Sequence, residues 1–230
     1  MPAYENHLIE LLPRKERQRL LAVCEPIQLV LGTVLCEAGN TTQQVYFPTH
    51  GHVSLIADVE GKPGIEVGMV GREGMLGVQL ALGVSTSPLH ALVQGAGAAW
   101  RVSAAAFRRE MAQSKALHRI LQRYVFVLMR QLASSATCLR FHQISPRLAR
   151  WLLMSQDRAQ TDTFPLTQEF LAYMLGVRRV GVTIAAGGLQ RQGLIVYQHG
   201  HLSVLDRKGL EAAACTCYAS DCKIYAEQLG

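Results

Sequence analysis

The stretch 166-LTQEFLAYMLGVRRVGVT-183 carries the clearest structural signal in the sequence. Thr167 can accept a hydrogen bond from the backbone at the start of a helix. Ala172 is small enough for a second helix to cross closely, and Gly176 can take the positive φ that a tight turn requires. The pattern therefore predicts two short helices joined at Gly176, with Val182 and Ala185 packing the second helix onto the first.

A predicted hairpin follows the second helix, because residues 194–197 and 202–205 are β-like runs. A helix-turn-helix with such a hairpin is a winged helix, and the N-terminal end of its second helix enters the DNA major groove. Arg178 and Arg179 fall at that end, where arginine can bind guanine or a phosphate. The alternative is an ordinary two-helix corner whose arginines are only solvated.

A long helix is predicted over residues 104–141, which contain neither Gly nor Pro. One face of it is formed at spacings of three or four by Leu117, Leu121, Tyr124, Leu128, Leu132, Ser135 and Leu139. Such a stripe pairs with a second copy of the helix or covers a neighbouring sheet, and pairing is the preferred interpretation. Ser145 and Pro146 predict the start of a further helix, which the polar residues 156–165 end.

The part before the long helix predicts antiparallel strands, because short apolar runs alternate with Gly, Pro, Asn and Ser. The runs are 27-IQLVL, 45-VYF, 53-VSLIADV, 65-IEVGMV, 91-ALV and 98-AAWRV. Turn residues at 38-AGN and 60-EGKPG are typical of hairpin ends. The first 25 residues predict helix broken at Pro13, so a sandwich or barrel preceded by helix is expected.

Composition and charge narrow the class of protein. The 230 residues are 49% hydrophobic, which suffices for a packed core. Residues 1–103 carry seven basic and nine acidic side chains, residues 104–140 seven and one, and residues 141–230 nine and seven. The resulting net charges of −2, +6 and +2 favour a polyanion partner for the later segments. Without an apolar targeting segment or a run of about 18 apolar residues, we expect a cytoplasmic protein with no membrane contact.

In this order the segments resemble the Crp/Fnr transcription regulators over nearly the whole chain. The stretches that carry the resemblance are 46-YFPTHGHVSL, 68-GMVGREGMLG, 166-LTQEFLAYMLGVRRVGVT and 193-GLIVYQHGHLSVLDRKGLE. The resemblance implies an α+β fold made of three parts: an antiparallel β-roll of jelly-roll type at 1–110, a central dimerisation helix at 111–142, and a winged helix-turn-helix at 143–230. It also implies a homodimer on a pseudo-palindromic site in double-stranded DNA, and a regulator rather than an enzyme.

The second helix of the motif departs from the best-known family pattern. Well-known members carry a Glu one residue after the position of Arg179 and an Arg four residues later, whereas this chain has Val180 and Ile184. The operator is therefore expected to differ from the best-known consensus. The residues predicted to contact DNA are Gln168, Arg178, Arg179 and Thr183. Of these, Gln168 is expected to bind a phosphate.

No cyclic nucleotide is expected to bind in the usual family mode. In cyclic-nucleotide-binding members a Gly-Glu-Leu segment binds the ribose, and a following Arg neutralises the phosphate. Here Met75 replaces that Glu, and no Arg lies between Arg72 and Arg101, so a buried phosphate would lack a cation. Arg72, Glu73, Gly74 and Met75 form either a different effector pocket or a solvated turn.

No effector or cofactor is assigned from the sequence. A signal received in the roll would bias the hinge at 140–145 and change the spacing of the two recognition helices. A regulator that activates transcription would have RNA polymerase as a further partner.

The cysteines leave a metal- or redox-responsive regulator open as an alternative. Without a targeting segment they are expected to be reduced thiols, with Cys138 a small core residue. Cys24 and Cys36 do not fit a four-thiolate iron–sulfur cluster. The three C-terminal cysteines lack the paired C-x2-C spacing of a strong zinc site. No metal site is therefore assigned to these cysteines and the nearby histidines, namely Cys215, Cys217, Cys222, His199 and His201.

His50 and His52 leave a second alternative open, a cupin-type metalloprotein. An H-x-H pair on a β-barrel can bind metal, but cupins add a Glu within a few residues, and the next acidic residues here are Asp58 and Glu60. A plain hairpin turn at the pair is the preferred interpretation.

Overall fold

A computed structural model describes residues 6–60, 62–198 and 200–230. The helices are α1 His7–Glu10, α2 Arg14–Leu21, α3 Ala104–Gln113, α4 Lys115–Phe141, α5 Ile144–Ala159, α6 Gln168–Leu175, α7 Arg179–Arg191, α8 Arg207–Ala213 and α9 Cys217–Leu229, with a 3-10 helix at Val78–Leu82. The strands are β1 Glu25–Leu29, β2 Val34–Cys36, β3 Gln44–Val59, β4 Lys62–Val70, β5 His90–Ser103, β6 Thr163–Pro165, β7 Ile195–Gln198 and β8 His201–Val204.

The N-terminal half is the predicted antiparallel β-roll, built around β5, which pairs with β1, β2 and β3. β3 and β5 each join two runs that the sequence had predicted as separate strands. Within β3 the ladder shifts register around Gly51, whose φ is 72°, so the strand bends and continues. The hairpin turn predicted at His50 and His52 is therefore wrong, while the hairpin at 60-EGKPG is confirmed as the β3–β4 connection.

The helix predicted over 104–141 is interrupted at Ser114. The backbone of Ser114 is extended, and its hydroxyl accepts a hydrogen bond from the Leu117 N–H at 2.9 Å, which caps α4. The separate helix α4 is 27 residues long, or about 40 Å. Leu117, Leu121 and Tyr124 are buried against the roll, so this part of the predicted stripe covers the chain's own sheet.

The winged helix-turn-helix domain contains α5 to α8 and a small sheet of order β6-β8-β7. Helix α5 begins at Ile144, one residue before the predicted Ser145 cap, and it has no side-chain cap. The segment 163–165 was expected only to end this helix, but it forms β6 and pairs with β8. The predicted wing hairpin is confirmed as β7 and β8, which pair from Ile195 to Val204.

The last helix, α9, returns from the winged domain to the central helix and packs along α4. Leu229 enters the core that α4 shares with the roll, and its carbonyl lies 2.8 Å from His7 Nε2. The segment before α9 is thereby carried to the C-terminal end of α4.

The winged domain rests on the roll of the same chain. Ile56 of β3 and Met69 of β4 belong to the hydrophobic cluster that forms the core of the winged domain. At its edge the Trp151 indole N–H donates to Glu66 at 2.8 Å, and Arg158 pairs with Glu73 at 2.8 Å. These contacts position α6 and α7 relative to the central helix.

Candidate DNA-binding site

The helix-turn-helix forms as the local sequence predicts. The Thr167 hydroxyl accepts a hydrogen bond from the Phe170 N–H at 3.1 Å and caps α6. Gly176 ends α6 with a φ of 61°, and α7 leaves at 106° to α6. A side chain at Gly176 would also have to displace the end of the Ile65 side chain of β4, which adds to the cost of the positive φ.

Helix α7 separates its buried and exposed residues cleanly. Val182 and Ala185 are buried against the rest of the domain, as predicted. On the outward side Val180 is 61% exposed and Ile184 is 68% exposed, one turn apart on the same helix. Sequence reasoning named both positions as departures from the family pattern but did not identify them as surface residues.

The structure brings the four predicted DNA contacts to one surface. Arg178 is the N-cap residue of α7 and Arg179 its first residue, and both are exposed. The Thr183 hydroxyl donates to Gln168 Oε1 at 2.7 Å and lies 3.1 Å from the Arg179 carbonyl oxygen. This hydrogen bond fixes the Gln168 side chain beside the first two turns of α7.

The predicted effector segment is engaged by the chain itself. Arg72 pairs with Glu10 at 2.6 Å, and Glu73 binds the buried Arg158. Met75 is 1% exposed, and Gly74 lies against the Tyr124 side chain with no room for a Cβ. A ligand that took the Glu73 carboxylate as its partner would have to compete with Arg158.

A cleft of about 310 Å³ opens beside this segment, between the roll, α5 and α9. Its polar lining includes His7, Arg72, Glu73, Asp157, Arg158 and Tyr225. The two predicted effector residues that reach solvent therefore face the winged domain and not the interior of the roll.

The cysteines are distributed differently from the sequence prediction. Cys138 is buried, as expected, but its Sγ lies 3.5 Å from Cys215 Sγ. Cys217 Sγ lies 3.6 Å from Nδ1 of His142, a residue that sequence reasoning missed because it is distant along the chain. Cys222 is exposed and apart from this group. His201 is exposed on the wing, and His199 lies outside the described residues.

Among the residues that the structure describes, His50 and His52 have no third ligand with which to form a metal centre. No group of three or more His, Cys, Asp or Glu ligands in the described part of the chain includes either histidine. His52 is 2% exposed, and burial lowers its pKa to about 3, so the ring stays neutral. The cupin interpretation therefore has no structural support.

Glu66 is a buried carboxyl group at the contact between the roll and the winged domain. Burial raises its pKa to about 7, although hydrogen bonds from Ser54 and Trp151 and the charges of Arg158 and Arg150 act in the opposite direction. Because the ordinary value is 4.5, folding favours the protonated form. Stability contributed by this proton is complete below pH 4.5 and is lost as the pH rises to about 7.

Replacing Glu66 by glutamine is therefore expected to flatten this pH dependence. The amide oxygen can accept from Trp151 and the amide nitrogen can donate to Ser54. The variant should gain at most about 3 kcal/mol over the wild type at pH 8 and little at pH 4.5. Urea unfolding at both pH values measures the difference. An equal difference at the two pH values would show that Glu66 does not titrate as the structure implies.

Comparisons with known proteins agree with the fold and with a helix-turn-helix domain in the C-terminal part of the chain. Residues 146–213 match the family model of the Crp-like helix-turn-helix domain. The structure is similar to a proposed transcriptional regulator of the Crp/Fnr family from Eubacterium rectale, with a TM-score of 0.68, 17% identity, and coverage of 91% of this chain and 99% of that chain. No curated protein matches the sequence.

Two further solved structures share the fold. One is the c-di-GMP-responsive global regulator CLP of Xanthomonas campestris, with a TM-score of 0.66, 15% identity and coverage of 84% of this chain and 100% of that chain. The other is a transcriptional regulator of the CRP family from Thermus thermophilus, with a TM-score of 0.66, 17% identity and coverage of 82% and 96%.

The fold and the site together define a class. A Crp-like helix-turn-helix domain with an exposed second helix is a DNA-binding domain, and the whole chain has the fold of Crp/Fnr regulators. Residues 146–213 therefore form a Crp-like helix-turn-helix domain, and this domain is set in a chain that shares its overall fold with structures of Crp/Fnr regulators. In the described part of the chain no single helix is long and apolar enough to cross a membrane; α6 and α7 pass that test only together, as a strongly bent pair.

Proposed function

We propose that the protein is a dimeric regulator that places the N-terminal half of α7 in the major groove of each half of a pseudo-palindromic DNA site. The observation that carries the proposal is the outward face of α7. Arg179, Val180, Thr183 and Ile184 are exposed there together, while Val182 anchors the opposite face in the core.

The polar residues of this face can contact both the bases and the phosphates of DNA. Arg179 can bind guanine O6 and N7 with two hydrogen bonds, or a phosphate. Gln168, held by Thr183, lies at the N-terminus of α6 and is assigned to a phosphate that fixes the position of the domain. Arg178 flanks Arg179 and adds a second cation.

The apolar members of this face suit thymine. Val180 and Ile184 expose alkyl groups one turn apart, and apolar contact with the C5-methyl group is the major-groove interaction open to them. Each half-site is therefore expected to contain thymine beneath the middle of the α7 face. This replaces the polar contacts made by the Glu and Arg of the best-known family pattern.

The second copy of the chain is assigned to the outward face of α4. Phe126, Met129 and Phe141 are 45%, 63% and 73% exposed, although the opposite face of α4 is buried in the roll. The small residues Ala133 and Thr137 lie between them at helical spacing and are also exposed. A partner helix can approach such a face closely, as in paired central helices.

Regulation is assigned to the orientation of the winged domain. Only His142 and Gln143 separate α4 from α5, and Trp151–Glu66 and Arg158–Glu73 hold the domain on the roll. A signal that changes these contacts would alter the separation of the recognition helices in the dimer. An effector at Arg72 to Met75 remains a prediction.

Selection of binding sites from random DNA with purified protein tests the proposed function. We expect a pseudo-palindrome with half-site centres about one turn, or 10–10.5 base pairs, apart. Replacing single thymines by uracil, which lacks only the methyl group, then identifies the base beneath Val180 and Ile184. A reduced protein that enriches no sequence, with or without added zinc and cyclic nucleotides, would contradict the proposal.

A further inference from the structure

Four potential metal ligands from distant parts of the chain meet where α4 ends. The ligand atoms of Cys138, His142, Cys215 and Cys217 all lie within 4.8 Å of one another. Cys138 belongs to the last turn of α4, and His142 is its C-cap residue. Cys217 is the first residue of α9, and Cys215 lies two residues before it. The three cysteines are buried, and the histidine is half-buried.

We propose that Cys138, His142, Cys215 and Cys217 form a Cys3His site for a single Zn²⁺ ion. Tetrahedral zinc with Zn–S bonds of about 2.3 Å places its sulfur ligands about 3.8 Å apart. The Cys138 Sγ–Cys215 Sγ separation of 3.5 Å is close to that spacing. The Cys217 Sγ–His142 Nδ1 separation of 3.6 Å matches the about 3.6 Å expected between a sulfur and a nitrogen ligand, since Zn–N bonds are about 2.1 Å. The site replaces the sequence-based expectation of no metal ligand.

The donor set and its surroundings favour one thiophilic ion. Three thiolates and a neutral imidazole around Zn²⁺ carry a net charge of −1, and Arg147 and Arg150 interact electrostatically with Cys138 and Cys215. Arg150 is itself fixed by Asp221 of α9 at 2.7 Å. A four-iron cluster binds each cysteine to a different iron, which requires thiolates farther apart than those of this compact group.

The position of the site gives zinc a mechanical role in the proposed function. A bound ion would join the central helix, the hinge residue His142 and the segment leading into α9. The Cys215 N–H already donates to the Pro146 carbonyl in the first turn of α5, at 3.4 Å. This part of the inference rests on the proposed DNA binding, whereas metal binding itself does not.

Metal titration of the reduced full-length protein tests the site. We expect one Zn²⁺ per chain, and with Co²⁺ the visible absorption of a tetrahedral thiolate complex. Cys217→Ser should weaken zinc binding by more than about 100-fold, because loss of a ligand exceeds the 10- to 100-fold effects of outer-shell changes. Cys222→Ser is the matched control, since it removes an exposed cysteine of the same helix outside the group.

A second variant separates loss of ligand from loss of fold. His142→Ala changes a half-buried side chain at a helix end, so circular dichroism should be unchanged while the Co²⁺ spectrum is lost. The proposal is overturned if zinc binds the wild type no more tightly than His142→Ala. It is also overturned if Cys222→Ser is the variant that loses the metal. A reduced protein that binds no zinc, and in which oxidation forms a Cys138–Cys215 disulfide, would overturn it as well.

DNA titrations with and without zinc keep the two proposals distinguishable. Tight zinc binding by a protein that selects no DNA site would overturn the proposed function and support the metal site. Sequence-specific DNA binding by a protein that binds no zinc would support the proposed function and overturn the metal site.

Discussion

Replacing Arg179 by alanine should weaken binding to the selected operator by about 30-fold to 10⁴-fold. One bidentate arginine–guanine pair is worth about 1–3 kcal/mol, and a dimer presents the pair twice. The dimer therefore loses about 2–6 kcal/mol of DNA-binding free energy, and each 1.4 kcal/mol corresponds to a tenfold weaker affinity. Fluorescence anisotropy titration on the operator and on an unrelated duplex measures both affinities.

The two duplexes distinguish a base contact from a phosphate contact. If Arg179 binds guanine, only the operator affinity falls; if it binds a phosphate, both affinities fall alike. Arg14→Ala is the control, because Arg14 is an exposed arginine of α2 and its removal changes the net charge equally. Unchanged operator binding by the Arg179→Ala variant would show that α7 is not part of the DNA interface.

Replacing Met129 by glutamate should convert the protein from dimer to monomer. The substitution buries an unpaired carboxylate from each chain in the proposed α4 interface, which costs about 3–5 kcal/mol and raises the dimer dissociation constant at least about 100-fold. Since Met129 is 63% exposed in one chain, the fold of that chain should be unaffected. Sedimentation velocity measures the mass, and circular dichroism checks the fold.

Val30→Glu is the control for the dimer, because Val30 is similarly exposed at 62% but lies on the roll. This variant should stay dimeric and keep its operator affinity. A Met129→Glu protein that remains dimeric would show that another surface pairs the two chains.

The DNA-binding domain was predictable because its determinants are local. The Thr167 hydroxyl caps α6 by accepting a hydrogen bond from the Phe170 N–H, three residues later. Gly176 takes the positive φ of the turn that directly follows this helix. Val182 is buried by the same short helix pair. The sequence contains each of these signals within a few residues of its effect, so propensity and spacing sufficed.

The missed features depend on contacts between distant segments. Ser114 is the exception, because its hydroxyl caps the Leu117 N–H three residues on, a signal as local as that of Thr167; the break was missed because the prediction of one helix rested on the absence of Gly and Pro. The strands β3 and β5 continue through glycine-rich bends because they are hydrogen-bonded to each other on both sides of the bend. No local pattern shows this.

The cysteine group shows the same limit more strongly. Cys138 and Cys215 are 77 positions apart, and only the return of α9 along α4 brings them together. Sequence spacing pointed instead to Cys222, which lies on the same helix but outside the group. The interpretation of Cys138 as a simple core residue overlooked its distant neighbours.

Binding to operators with altered half-site spacing is the decisive test of a dimer that contacts two half-sites at once. We expect two chains per operator. Five base pairs inserted between the half-sites, about half a helical turn, should abolish high-affinity binding by rotating one half-site away. An insertion of about ten base pairs should restore the facing of the half-sites. Equal affinity for all three spacings, with one chain bound per half-site, would contradict the dimeric regulator.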